Sequence, residues 1–195
     1  MLDSDKRTIL RNILEGDTCV FPGSVYDSIS ARIATELGFE IGMFAGSIGS
    51  AVVIGAPDYI VLTLTEFAEQ ARRICRNTEL PLLVDADHGY GNALNVRRTV
   101  EELETSGIAG LTIEDTQLPR QHGEKNVTMI SLEEGVGKMK AAISGRKDSS
   151  LVIAGRTSAF QLSDTKEAIR RAEAYEEIGV DAMFFAGLST RDQLE

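Results

Sequence analysis

A repeated strand-then-helix order predicts an α/β fold, a (β/α)8 TIM-type barrel of which the 195 residues cover about the first six βα units. Three observations carry this. Short apolar, β-branched runs recur along the chain and are mostly continuous rather than alternating, as expected for strands covered on both faces. Amphipathic stretches lie between them. Three helix ends share one pattern, Leu37-Gly38-Phe39, Ser106-Gly107-Ile108 and Ile178-Gly179-Val180, with Gly just past the helix and an apolar residue leading into the next strand. Six units in 195 residues is about 32 residues each, so eight would need about 260, near the roughly 250 typical of this barrel. A doubly wound sheet also fits the length, but it would carry a Gly-rich phosphate turn after its first strand, and Phe21-Pro22-Gly23-Ser24 is not one. The remaining strands would lie beyond Glu195, so 1–195 reads as a single, partial barrel domain.

The strands are expected at residues 19–21, 41–45, 82–85, 110–113, 151–154 and 182–185. Helical stripes follow at Ile29, Ile33 and Leu37, at Val96, Val100 and Leu103, and at Leu132, Val136, Met139 and Ile143. Asn92 is placed to cap the third helix. Ser131 with Glu134, and Asp164 with Glu167, fit capping boxes before the next two. Gly135-Val136-Gly137-Lys138 looks like half a phosphate loop, but Leu132 stands where its first Gly belongs and Met139 where its Ser or Thr belongs. Ser189 to Glu195 reads as the opening of a sixth helix. The longest irregular segments, about 45–63 and 116–128, both follow strands, at the end of the sheet where ligands bind.

Composition narrows the function. Hydrophobic residues make up 43% and charged residues 26%, which excludes a disordered chain. The 20 Lys+Arg against 30 Asp+Glu leave a net charge of −10, a poor match to nucleic acid or an anionic membrane. No run approaches the roughly 20 apolar residues of a membrane span, and the charged N-terminus is unlike a signal peptide, so the cytoplasm is the expected location. Cys19 and Cys75 show no metal or redox spacing and are expected to be buried packing residues. The sequon at Asn126 is read as chance.

The strongest chemical signal is Val84-Asp85-Ala86-Asp87-His88-Gly89-Tyr90-Gly91, an apolar strand ending in two carboxylates and a Gly-rich turn. At strand spacing the two would point the same way and repel unless a cation sits nearby; Mg²⁺ takes one or two carboxylates and keeps several waters. The alternative is one Asp capping the next helix and the other solvated. Ile113-Glu114-Asp115 and Gly155-Arg156 end two further strands. Acid facing one Arg suits a metal plus a substrate carboxylate, or else a plain Arg156–Glu114 ion pair. Asp115 alternates away from Glu114 and reads as structural. The small residues of Ala45-Gly46-Ser47-Ile48-Gly49-Ser50 could cradle an anion. His88 is expected in a structural hydrogen-bonding role. His122 sits in a polar loop that reads either as a lid or as plain solvated chain.

These pieces together resemble the isocitrate lyase/phosphoenolpyruvate mutase superfamily. The matching residues are Gly46-Ser47-Ile48, Gly55-Ala56-Pro57-Asp58, the run from Val84 to Asn92, Ile113-Glu114-Asp115 and Arg156, in the family's order. The resemblance implies a Mg²⁺-dependent barrel, with Mn²⁺ as a substitute, acting on a small 2-oxo acid. It implies a tetramer when full length, while the acidic composition already argues for no nucleic-acid and no membrane partner. Isocitrate-cleaving members carry a K-[KR]-C-G-H loop with a reactive Cys. Here the matching stretch is Arg120-Gln121-His122-Gly123-Glu124, so His122 stands at the Cys position and argues against that branch. The stretches from Phe21 to Asp27, Leu62 to Gln70 and Leu132 to Met139 look closest to the oxaloacetate decarboxylase branch.

Carried over residue by residue, the resemblance implies that Asp85 binds Mg²⁺ directly and that Asp58, Asp87 and Glu114 hold its waters. Gly46, Ser47, Ile48 and Arg156 would bind substrate, and His122 would belong to a lid. The implied reaction is decarboxylation of oxaloacetate to pyruvate and CO₂ through a metal-stabilised enolate. The proton donor would lie beyond Glu195. The alternatives are another C–C or P–C bond lyase of the superfamily, or a fragment that binds metal and ligand without turnover.

Overall fold

Six strands pair in parallel and in sequence order, β1-β2-β3-β4-β5-β6, in a computed structural model that describes residues 2–120, 122–124 and 126–194. The chain opens with helix α1 (Asp3–Leu14), then β1 (Gly23–Ser24), α2 (Ser28–Glu36) and β2 (Gly42–Phe44). A short helix α3 (Gly46–Gly49) runs into a π-helical turn (Ser50–Ile54), followed by α4 (Leu64–Cys75) and β3 (Leu82–Asp85). Next come α5 (Ala93–Thr105), β4 (Gly110–Glu114), α6 (Leu132–Gly145) and β5 (Val152–Thr157). The short α7 (Ala159–Leu162), α8 (Thr165–Ile178), β6 (Ala182–Phe185) and a 3₁₀ turn (Arg191–Gln193) complete it. This is the succession of the TIM-barrel type, with helices alternating along a parallel sheet.

Local chemistry sets the helix boundaries. Asn92 accepts from the Leu94 and Asn95 N–H groups, and Asp164 and Ser131 accept from those of Glu167 and Glu134. Gly38, Gly107 and Gly179 each take a left-handed φ of 84 to 93° just past a helix, a conformation that costs a side-chain-bearing residue more. The core runs between sheet and helices. Val84, Leu111, Ile113 and Ile153 from the strands meet Val96, Val100, Leu103 and Met139 from the helices, all fully buried.

At the N-terminal end of the sheet, α1 is held by cations. Lys6 donates to the Cys75 carbonyl, Arg7 to the Ile108 and Glu104 carbonyls and to Asp148, and Arg11 to Asp181. The opposite, C-terminal end is left to the loops. The ladder register aligns the strand ends there: Asp85 lies beside Thr112, Glu114 beside Arg156, and Arg156 beside Phe184.

Four sequence expectations need correction. The first strand is Gly23–Ser24 rather than 19–21, and Phe21 stands out in solvent. Gly23 lets this strand lie close against α2 and the turn after it, because a Cβ there would stand 2.9 Å from the Phe39 ring and 3.2 Å from the Ala34 methyl. Along α2 the stripe Ile29, Ile33 and Leu37 faces outward, and the helix lies on the sheet through Ala31 and Ala34 instead. Small residues permit that close approach. Cys75 is buried, but Cys19 is exposed; the two are free thiols. Finally, the segment after β2 is irregular only from about residue 55, since α3 and the π-helical turn occupy its first half.

Candidate active site

At the C-terminal end of the sheet a cleft of about 950 Å³ collects Ser47, Asp58, Asp85, Asp87, Glu114, Arg156 and His122. Six of these come from four strand ends and the loops after them; His122 comes from the long loop after β4. Tyr59, Ile60, Ser158 and Gln161, which sequence reasoning passes over, share the lining. Ile60 could not have been singled out by type, because its distinction is a left-handed φ of 57° that a β-branched side chain seldom adopts.

Arg156 organises the acids. Its Nη1 donates to Asp85 Oδ2 at 2.6 Å, and its Nε stands 3.1 Å from Glu114 Oε2, an ion pair bent away from hydrogen-bond geometry. The Phe184 ring lies 5.1 Å from the guanidinium carbon. Burial works against the Arg156 charge, but Asp85 and Glu114 outweigh it and strengthen its hold on its proton. Asp85 also accepts from the Thr112 hydroxyl at 3.2 Å, and Glu114 from the Thr116 hydroxyl. Burial pushes the Glu114 carboxyl upward, with Arg156 and Thr116 opposing. Arg156 and Glu114 thus form an ion pair, and that pair sits in the cleft.

Asp87 reaches the cleft by a different route from the one its spacing suggests. It is not part of β3 but takes a left-handed φ of 48° in the turn that follows, and its N–H donates to Asp85 Oδ1 at 3.1 Å. Burial, then the charges of Asp85, Asp58 and Glu114, raise its carboxyl to about 8, against the pull of Arg156. Gly46 makes room for it: a Cβ on Gly46 would lie 2.6 Å from Asp87 Oδ1. Ser47 is exposed on the rim and Ile48 packs against the core, so the two neighbours face different ways.

Asp115 and His88 fall outside the cleft chemistry, whereas His122 lines the cleft from its loop. Asp115 is fully buried, pointing away to Arg171 at 2.9 Å and Tyr175 at 3.1 Å. His88 is buried and its ring lies near that of Tyr90, but its Nδ1 has no partner among the described residues; it is the His88 carbonyl that is bonded, by Lys138. Burial lowers the imidazole to about 4, so it is neutral. His122 is exposed on the loop. Gln121 and Lys125 of that loop lie outside the described residues.

The residues present fit a divalent cation. Asp58, Asp85, Asp87 and Glu114 share one cleft with Arg156; Glu124 and Arg120 also line it, and the neighbouring carboxylates add to burial in raising Asp87. Among the described residues no three His, Cys, Asp or Glu side chains converge on one coordination point. One carboxylate as a direct ligand, with the others reached through water, is the way Mg²⁺ is usually held, and this set of oxygen donors would fit it.

Parallel strands with helices between them, and an acidic cleft organised by Arg156 at their C-terminal ends, define a TIM-type barrel chain with an oxygen-donor site. The chain belongs to the phosphoenolpyruvate phosphomutase family, whose model matches residues 10–195. It is 63% identical over 190 residues to an oxaloacetate decarboxylase of Bradyrhizobium diazoefficiens, covering 97% of this chain and 66% of that one. Among solved structures it resembles oxaloacetate acetylhydrolase in complex with the inhibitor 3,3-difluorooxalacetate, with a TM-score of 0.90 at 31% identity, covering 98% of this chain and 66% of that one. Phosphonopyruvate hydrolase in complex with oxalate and Mg²⁺ is similar too, with a TM-score of 0.85 at 30% identity, covering all of this chain and 66% of that one. The chain thus spans just under two thirds of the length of the relatives it matches.

Proposed function

We propose that the protein is a Mg²⁺-dependent carboxy-lyase that converts oxaloacetate to pyruvate and CO₂, with 1–195 forming one partial barrel domain of it. The observation that carries this is Arg156 lying between Asp85 and Glu114 in a cleft that also holds Asp58 and Asp87. A carboxylate substrate needs a forked cation, and a metal-assisted reaction needs excess acid; this cleft has both. The oxaloacetate decarboxylase relative and the Mg²⁺-bearing structural neighbour support the same reading.

In this reading Asp85 holds the cation directly, and Asp58, Asp87 and Glu114 hold it through water; Mn²⁺ would substitute. When bound, the cation supplies Lewis-acid stabilisation of the charge left on the substrate oxygen as CO₂ departs. Arg156 binds and orients a substrate carboxylate, with Phe184 backing the guanidinium. Ser47 donates its hydroxyl from the rim, with Gly46 and Ile48 shaping the backbone beside it. The loop bearing His122 excludes water when substrate is bound. No helix among the described residues is long and apolar enough to cross a membrane, and we assign the protein to the cytoplasm as a homotetramer of the full-length polypeptide.

Oxaloacetate acetylhydrolase, the structural neighbour whose product is oxalate, sets the main competing outcome, since cleaving the C2–C3 bond would release oxalate instead of pyruvate. The test is product analysis on the whole polypeptide given oxaloacetate, with and without Mg²⁺. Pyruvate formed only with metal, and lost in Asp85→Ala, supports the proposal. Oxalate as the product, or activity unmoved by Asp85→Ala, overturns it. Isocitrate and 2-methylisocitrate should go uncleaved, because His122 stands where a thiol would be needed.

A further inference from the structure

The sequence singles out Lys138 as the end of a failed phosphate loop, and the structure shows where it goes instead. It turns inward from α6, is only 3% exposed, and donates its ammonium to the His88 carbonyl at 2.9 Å. That carbonyl belongs to a turn of unusual cost. Asp87 and Tyr90 have φ of 48° and 60°, and Gly89 between them 76°. Left-handed backbone at side-chain-bearing residues persists only where the surroundings enforce it.

The surroundings here are three donors on three successive carbonyls. Asp87 O accepts from the Glu114 N–H of β4 at 2.8 Å, and His88 O from Lys138 of α6. Gly89 O lies 3.0 Å from the Thr99 hydroxyl of α5, which is also 3.0 Å from Asn95 O. Lys138 is the least replaceable. A backbone N–H comes with any residue and the Thr99 hydroxyl is divided between two carbonyls, but a buried ammonium without a carboxylate on it is costly to keep. Glu134, Glu114 and Asp115 attract it from a distance, but among the described residues its hydrogen bond goes to the turn.

We infer that Lys138 is a positioning residue: it pins the left-handed turn that aims the Asp87 carboxylate into the cleft, and so sets the affinity for a divalent cation. Thr99 assists from the next carbonyl. This rests on the metal-site reading given above, and its test is arranged so that the two fail separately.

The measurement is Mn²⁺ affinity by electron paramagnetic resonance, with the melting midpoint recorded alongside, on the whole polypeptide. Lys138→Met should weaken Mn²⁺ by about 3- to 10-fold, below the roughly 10- to 100-fold of losing a group bonded to a metal ligand because it acts through the turn, and Lys138→Arg should recover most of it. Leu103→Ala, a core truncation, should lower the midpoint without moving Mn²⁺ affinity, which separates positioning from loss of stability. Asp85→Asn should lose the ion altogether. Wild-type affinity in Lys138→Met beside loss in Asp85→Asn overturns the role of Lys138 and leaves the site standing. Wild-type affinity in Asp85→Asn overturns the site. Should Lys138→Met fail to fold, Lys138→Gln decides: weaker Mn²⁺ binding supports the pinned turn, and wild-type binding overturns it.

Discussion

The Arg156 guanidinium sits 2.6 Å from the Asp85 carboxylate, so the side chain proposed to hold substrate and the one proposed to hold metal touch. A cation arriving at Asp85 and a carboxylate arriving at Arg156 would each loosen that contact in favour of the other. Metal and substrate are then expected to bind cooperatively.

Arg156→Met separates the two roles. It removes the forked donor but also removes a positive charge beside the acids. Oxalate affinity in the presence of Mg²⁺ should fall at least about 10-fold, or about 1.4 kcal/mol, the loss of a charge-assisted pair. Mn²⁺ affinity in the absence of oxalate should hold or tighten. Calorimetry of both ligands on the one variant reads this directly, and parallel weakening of both would contradict it.

Gly46→Ala tests the space left for Asp87. The new methyl would stand 2.6 and 2.8 Å from the two carboxylate oxygens, inside any real contact distance. The obstructed group is the end of a side chain, so the fold should survive, with a change of less than about 1 kcal/mol in urea denaturation. The carboxylate must swing away, and divalent-ion affinity should drop by about 10-fold or more.

Much of the fold and of the cleft is legible in the amino-acid sequence. The glycines after three helices, the caps at Asn92, Ser131 and Asp164, and the acidic and basic strand ends are local signals, read from neighbours a few residues apart. What stays hidden depends on long-range packing. The outward Ile29 stripe carries a perfect helical period, and only the sheet beneath shows that Ala31 and Ala34 are the packed side. Asp85 and Asp87 do belong together, but not for the reason their spacing suggests, because alternation along a strand does not extend into a left-handed turn. The role of Lys138 leaves no readable signal, since its partner is a backbone carbonyl 50 residues away.

Asp115 shows the same limit from the other side. Its alternation away from Glu114 marks it as structural, and it proves to be fully buried against Arg171, which also donates to the Ile130 carbonyl at 2.8 Å. Arg171→Met would strand a buried carboxylate and should cost about 3–5 kcal/mol in urea denaturation. Asp115→Asn added to it should restore a large part of that, because the side-chain amide oxygen can keep the Tyr175 bond without the charge. Two additive losses would contradict the pairing.

The clamp of α1 offers a pH test away from the cleft. Bonds from the Ser150 hydroxyl, then from Arg7, hold the Asp148 carboxyl down at about 2 against an ordinary 3.8. The folded value lies below the unfolded one, so the stability it confers is complete above about pH 4 and is lost as the pH falls towards 2. Asp148 keeps 31% of its side-chain exposure, and solvent screening trims the contribution to about 1 kcal/mol. Asp148→Asn should therefore destabilise the protein by about that much at pH 7 in guanidinium denaturation. The gap between variant and parent should close as the pH is lowered from 4 to 2, where the parent carboxyl is increasingly protonated and its bond to Arg7 weakens. A gap that stays constant across that range would mean that the charge of Asp148 does nothing for α1, and that Arg7 holds the helix through the Glu104 and Ile108 carbonyls alone.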